Sequence, residues 1–318
     1  MIKIFFSLKV MKNPSPLLFT LLLTVSLFAF TFAQENLSVP AVDKVYEKQL
    51  SNWQRTVGTW QLRNFVPLVG LHRLKEGKNT FGKHPDNDIL IESTNVPDFI
   101  GTIFKEGEKV QYQAADDLAV MLEKDTITEI TYTFDDDRNS EKLQHKFTKW
   151  YVQYVGFDYY LRVMDEIHPG TRMFVPNAFY PANEDFIFMA RYKPYKKVKY
   201  LELNNVISTS IVYEAQGEVI FEYRGKSYQL VLLKGNFLMY GDETNGNTTF
   251  PIGRYIRVGK PNDDNLVVLD FNYSFNPPRA VSLYTTCEIA PDINRLPFKV
   301  EAGELYEGDG QPIIREID

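Results

Sequence analysis

The sequence predicts an all-β protein, built as one or two sandwich-like or barrel-like subdomains preceded by a single amphipathic helix. Three observations predict it. From Gln61 onward, apolar residues recur in short runs with period two, divided by turns of Gly, Pro, Asn and Asp. Nowhere do strand-like runs alternate with long helical patterns, which argues against a parallel α/β sheet. The chain is 44% hydrophobic and 14% aromatic and Cys287 is its only cysteine, so its stability must come from a packed core rather than from internal disulfides.

Residues 1–33 read as a secretory signal peptide. Lys3, Lys9 and Lys12 form a basic start, an apolar run covers 17–30, and Thr31-Phe32-Ala33 offers a small-x-small cleavage site before Gln34. The run is short for a bilayer span, although an uncleaved anchor is the alternative reading. No cysteine stands directly after it, which excludes a lipoprotein anchor. The expected location is therefore periplasmic or extracellular. Cleavage removes three lysines and no acid, leaving a chain more acidic than the formal −6 of the whole sequence. Such a charge excludes nucleic acid and anionic membrane surfaces as natural partners. No later segment is apolar and long enough to span a membrane.

Residues 34–62 hold the helix. Tyr46, Leu50, Trp53, Val57 and Trp60 repeat at spacings of four and three and so share one face, Asp43 is placed to cap the start, and Gly58 marks where the helix begins to end. Strands are expected at 65–71, 88–91, 110–114, 119–122 and 127–134, then at 147–157, 159–164, 186–192, 201–203, 237–241 and 267–271. The alternation of 218–223, the turn Arg224-Gly225-Lys226 and the run 228–233 read as a hairpin. The acidic stretch Asp135 to Asn139 reads as a solvated loop dividing a first β subdomain, 63–135, from a second, 140–318.

Several blocks in order resemble one bacterial family. They are Leu68-Val69-Gly70-Leu71, the run from Leu74 to Gly82, Asp242 to Thr249 with Gly253-Arg254, Leu269 to Pro278, and Cys287 to Glu304. Over roughly Trp53 to Glu304 the chain is similar to the uncharacterised family known as domain of unknown function 1684 (DUF1684), a resemblance that implies membership and no activity. Members commonly carry a cysteine where Arg279 stands here and a proline where Glu288 stands, so a cysteine pair does not carry over. Cys287 alone reads as a small buried residue, because no histidine neighbours it in sequence. Gly82-Lys83 followed by Asn87 to Ile91 also resembles the opening strands of forkhead-associated (FHA-like) domains. Those sandwiches read phosphothreonine through a serine and a histidine whose places are taken here by Pro97 and Ile100. The resemblance therefore implies the sandwich without phosphopeptide recognition.

Polar residues are densest in the second half: Arg162, Asp165, Asp242, Thr244, Arg254, Asp270, Asn272, Asn276, Asn294, Arg295 and Glu304. Asp270 and Asn272, two apart on an expected strand, would point to one face while Leu269 and Phe271 fill the core. Asn276-Pro277-Pro278 would fix the chain leaving it. Such Arg and Asp residues commonly brace a sandwich edge. The functional expectation is a ligand-binding or accessory protein with a polar pocket drawn from Arg162, Asp242, Arg254, Asp270, Asn272 and Asn276. The alternative is a hydrolase, glycoside-acting in its sharpest form, with Asp165, Asp270 or Glu304 as acid or base. The four histidines are scattered and no phosphate-cradling glycine loop occurs, so neither metal nor cofactor is expected. A small molecule or an envelope protein is the expected partner.

Overall fold

The computed structural model describes residues 37–135 and 138–308. The expected signal peptide lies outside the described residues, as does part of the acidic loop. The protein is mostly β, in three sheets with one long helix near its N-terminal end.

The helix, α1 (Lys44–Asn64), begins where the sequence places its cap. The Asp43 carboxylate accepts the backbone N–H groups of Val45 and Tyr46, both at 2.9 Å, satisfying two donors that a helix start leaves free. Tyr46 and Leu50 are buried against Ile187, with Val268 and Tyr273 packed around them. The helix runs past Gly58. That glycine is buried, and a Cβ there would lie 2.8 Å from Pro176 Cγ, so it permits close packing instead of ending the helix.

Two sheets make the first sandwich. One is five-stranded, in the order Ile89–Leu90, Gly77–Gly82, Gly101–Glu106, Lys109–Ala114, Glu129–Thr131. The other is six-stranded, in the order Leu68–Arg73, Asp158–Asp165, Thr148–Val155, Leu143–His145, Val120–Leu122, Asp125–Ile127. Their shared core includes Phe81, Ile103, Leu143, Trp150, Leu161 and Val163, with the Phe81 and Trp150 rings edge to face at 6.0 Å. Ile100 lies fully buried in it, and Lys83 pairs at the surface with Asp98.

The expected division at 135–140 does not follow the strand pairing. Leu143–His145 and the Thr148–Asp165 hairpin pair back onto Val120–Leu122 and Leu68–Arg73, so the first β unit extends through Asp165. A polar acidic run reports exposure, and a turn within a sheet is as exposed as a linker.

The third sheet is antiparallel throughout, in the order Arg254–Arg257, Phe237–Tyr240, Lys226–Leu233, Ser210–Tyr223, Ile187–Asn204, Leu266–Asp270. Its hairpin turns at Arg224 and Gly225 with φ of +50° and +73°, the paired positive angles of a type I′ turn. One face packs Val219, Phe221, Leu232, Leu238 and Leu269 against Leu296 and Val300 of the irregular C-terminal segment. The other carries Leu203, Val231, Met239 and Tyr255. A further cluster, Leu71, Val155 and Tyr160 with Phe250, Ile252 and Cys287, joins the first sandwich to the second half.

Candidate functional site

The polar residues singled out from the sequence fall into several separate networks. Arg254 and Asp242 are both fully buried and paired at 2.8 Å. The guanidinium also donates to the carbonyls of Val300, at 2.9 Å, and Ala302. The second oxygen of Asp242 accepts from the Thr244 N–H at 2.8 Å, its hydroxyl at 2.5 Å and the Val300 N–H at 3.2 Å. This pair fastens the 242–249 loop and the 300–302 segment to the sheet. Asn294 does similar work, bridging Val231 and Met239 through three hydrogen bonds of 2.7–3.0 Å. Arg295 stays near the surface beside Asp292.

Asp270 and Asn272 do not share a strand face. The strand ends at Asp270, and Phe271–Tyr273 form a single 3-10 turn that Asp270 caps, accepting the Asn272 N–H and side-chain amide at 3.0 Å each. An aspartate that bonds the backbone two residues on offers an alternative to the sheet ladder, and here it wins. Leu269 and Phe271 do fill the core. The other Asp270 oxygen accepts from the Tyr46 hydroxyl of α1 at 2.8 Å. Burial pushes the Asp270 carboxyl above its ordinary range, against the opposing pull of these hydrogen bonds. Asn272 is spent on the backbone of Asn183.

Asn276 and Glu304 form another network. Glu304 accepts from Gln61 at 3.0 Å, Asn177 at 2.8 Å and the Asn276 N–H at 2.7 Å, and Asn276 donates onward to the Leu305 carbonyl. Its partners are all neutral, and burial raises its pKa. Asp165 lies elsewhere, accepting from Ser93 at 2.6 Å and Asn95 at 2.9 Å. Asp165, Asp270 and Glu304 share no hydrogen-bonding partner. Among the described residues, no group of three His, Cys, Asp or Glu side chains is placed to hold a metal ion.

Arg162 is the exception. It leaves these networks and faces a cavity of about 590 Å³, a size typical of small-molecule sites. Trp53, Val57 and Trp60 of α1 form one wall of this cavity, and Tyr213, Phe237, Met239 and Tyr255 of the third sheet form another. Tyr273 and Phe275 close it from the segment after the sheet. The walls support one another: Trp53 meets Tyr273 at 4.9 Å between ring centroids, Phe237 meets Tyr255 at 5.0 Å, and Trp60 meets Phe275 at 5.9 Å.

Gln153, Arg162, Thr285, Thr286 and Glu288 supply polar groups to this apolar space. Glu288 accepts the Tyr213 hydroxyl at 2.7 Å, and its backbone carbonyl accepts the Tyr255 hydroxyl at 3.1 Å. Burial raises the Glu288 carboxyl, with the Tyr213 hydrogen bond and the charge of Arg162 pulling the other way. Burial, aided by the Glu288 charge, pushes the Cys287 thiol up to about 12, so it stays protonated at neutral pH. Of the candidates read from sequence, only Arg162 lines this cavity. Aromatic stripes of that kind on a helix or strand could form a stacking platform but ordinarily mark core, so the sequence alone does not single out this lining as a site. The one available signal was Trp60, an outward continuation of the α1 stripe that remains 36% exposed.

Residues 172–305 match the family model described as "Protein of unknown function (DUF1684)". No curated protein matches the chain. Among solved structures it is similar to an uncharacterized protein of Haloarcula marismortui, with 23% identity and a TM-score of 0.37 over 44% of this chain and 82% of that one. It is also similar to Mycobacterium tuberculosis EmbR in complex with a low affinity phosphopeptide, with 17% identity and a TM-score of 0.20, over 40% of this chain and 32% of EmbR. The sequence blocks at 68–82 fall outside the matched residues, whereas those from Asp242 to Glu304 fall within them, and residues 172–305 carry the sequence pattern of the DUF1684 family.

Proposed function

We propose that the protein is an exported ligand-binding protein whose site is the aromatic cavity beneath α1. One observation carries this reading: a cavity of about 590 Å³, walled by aromatic side chains from a helix, a sheet and the C-terminal segment, with a few polar groups among them. The lining is mostly apolar with few oriented polar groups, the usual make-up of a site for a small molecule. Export is supported by the N-terminal basic, apolar and small-residue pattern. The polar cluster from Asp242 to Glu304 then serves to hold the walls in place.

The experiment is a titration with a neutral fluorescent apolar probe, phenylnaphthylamine. Trp53 and Trp60 line the cavity, while Trp150, the third tryptophan, lies in the sandwich core. Binding in the cavity quenches Trp53 and Trp60 by energy transfer, and the variant Thr56→Trp, placed on the lining of α1, lowers the probe's affinity. A probe that does not bind saturably, or binds equally well to Thr56→Trp, refutes the reading.

A further inference from the structure

We propose that the ligand of this cavity is an apolar molecule bearing a single carboxylate, which docks on the guanidinium of Arg162. The inference rests on the cavity reading above and names the class of molecule.

Arg162 is only 5% exposed. A buried arginine is expected to meet a carboxylate and to spend its five N–H donors. Arg254 shows how this fold treats such a group: a carboxylate at 2.8 Å and two backbone carbonyls. Arg162 has neither kind of partner. It donates to the Thr286 hydroxyl at 2.9 Å and, at the 3.5 Å limit, to the Tyr151 hydroxyl; its buried Nε has no partner, as is also true of Arg254. No ion pair of the described residues includes it. The hydrogen-bonding partners of this buried guanidinium are therefore neutral hydroxyls alone.

Glu288 lines the same cavity but does not supply the missing anion. Its carboxylate accepts the Tyr213 hydroxyl at 2.7 Å and makes no ion pair with Arg162, and burial raises its pKa. Arg257, the other arginine on the lining, is exposed and adds charge of the same sign, with its guanidinium 5.2 Å from the Phe237 ring centroid. A carboxylate presented to Arg162 would accept N–H donors that the terminal guanidinium nitrogens leave unused, and neutralise the buried charge. One buried cation matches one negative charge, which favours a carboxylate over a doubly charged phosphate ester. The remaining wall is aromatic and aliphatic, so the body of the ligand is apolar.

The test compares acids with their alcohols. Straight-chain alkanoates of six to twelve carbons and phenylpropanoate, each with the matching alcohol and the matching alkyl phosphate, are titrated calorimetrically into wild-type protein and Arg162→Met. Folding of the variant is checked by its melting curve, and Arg162→Gln serves as a second variant. At least one acid should bind wild type about tenfold or more tightly than its alcohol, as a charge-assisted hydrogen bond requires, and Arg162→Met should abolish that preference while still binding the alcohol. Equal binding of acid and alcohol, a preference that survives in both variants, or tighter binding of the phosphates overturns the proposal. Wild type that binds phenylnaphthylamine but none of the acids also overturns it and leaves the cavity reading standing. Failure of probe and acids alike overturns both.

Discussion

Replacing Arg254 with methionine keeps much of the side chain's length and removes a guanidinium that makes three contacts. Asp242 loses its cation in a site where neither side chain is exposed, and the carbonyls of Val300 and Ala302 lose their donors. The carboxylate still accepts from Thr244 and from the Val300 N–H, so it is left hydrogen-bonded but uncompensated. Breaking one side of a buried pair in this way costs about 3–5 kcal/mol. With a urea m-value of about 3 kcal/mol/M, the upper end of the small-protein range and suited to a chain this long, the unfolding midpoint should fall by about 1–1.7 M. The assay is urea unfolding followed by circular dichroism, with an unchanged m required for the comparison.

Two controls sharpen it. Lys193→Met removes an exposed partner 3.8 Å from Glu218, a pair worth about 0–1 kcal/mol, so the midpoint should move by no more than about 0.3 M. Arg162→Met makes the same change at a buried arginine that has no carboxylate partner, and should leave the midpoint unchanged or raise it, as when a residue is kept for function at some cost in stability. A fall of less than about 0.3 M for Arg254→Met would refute the reasoning, because the pair would then be worth no more than a surface one. A loss in Arg162→Met as large as that in Arg254→Met would refute the distinction between them.

Gly253 adopts φ +103°, and a Cβ there would meet Ala290 Cβ and the Tyr240 carbonyl at 2.5 Å, so Gly253→Ala should lose more than about 1 kcal/mol; an unmoved midpoint would contradict this. Asp270, Glu288 and Glu304 all have carboxyl pKa values raised by burial. Their contribution to stability is fully present below the ordinary carboxylate range and is lost as pH rises through the raised values, so the midpoint should be higher at about pH 5 than at about pH 8, and Glu304→Gln should flatten that slope. A midpoint that climbs with pH over this span would count against it. Export should leave a chain beginning at Gln34, read by intact-mass measurement of protein released from the periplasm, and a mass matching the uncleaved chain would sink the signal-peptide reading.

The features legible in the sequence are those fixed by local chemistry. Asp43 caps α1 because its side chain reaches N–H groups two and three residues on, and the stripe from Tyr46 to Trp60 needs only helical period to be seen. Arg224-Gly225 announces its turn through the positive φ that glycine accepts. Reading fails where a tertiary contact reassigns a local signal. Gly58 looks like a helix end until Pro176 is packed against it, and the 135–139 loop looks like a linker until Leu143–Asp165 folds back onto Leu68–Arg73. The cavity depends on contributions from α1, the first sandwich, the third sheet and the C-terminal segment, which no spacing rule connects.

The same contrast explains why the densest polar region is not where the cavity lies. From Ser274 to Leu305 the chain is largely without regular strands yet runs through buried surroundings, so its backbone groups must find partners outside any ladder. Asn294 serves Val231 and Met239, Arg254 serves Val300 and Ala302, and Asn276 serves Leu305, while Glu304 accepts the Asn276 N–H. Polar density in this segment is therefore the signature of a buried irregular backbone, and it follows from the fold whether or not any ligand binds. The mark of a site is the opposite condition, a buried charged group that the fold leaves without an ion-pair partner. Arg162 meets that condition beside an aromatic cavity, whereas Arg254, whose Nε is likewise unpartnered, is paired with the Asp242 carboxylate and two backbone carbonyls.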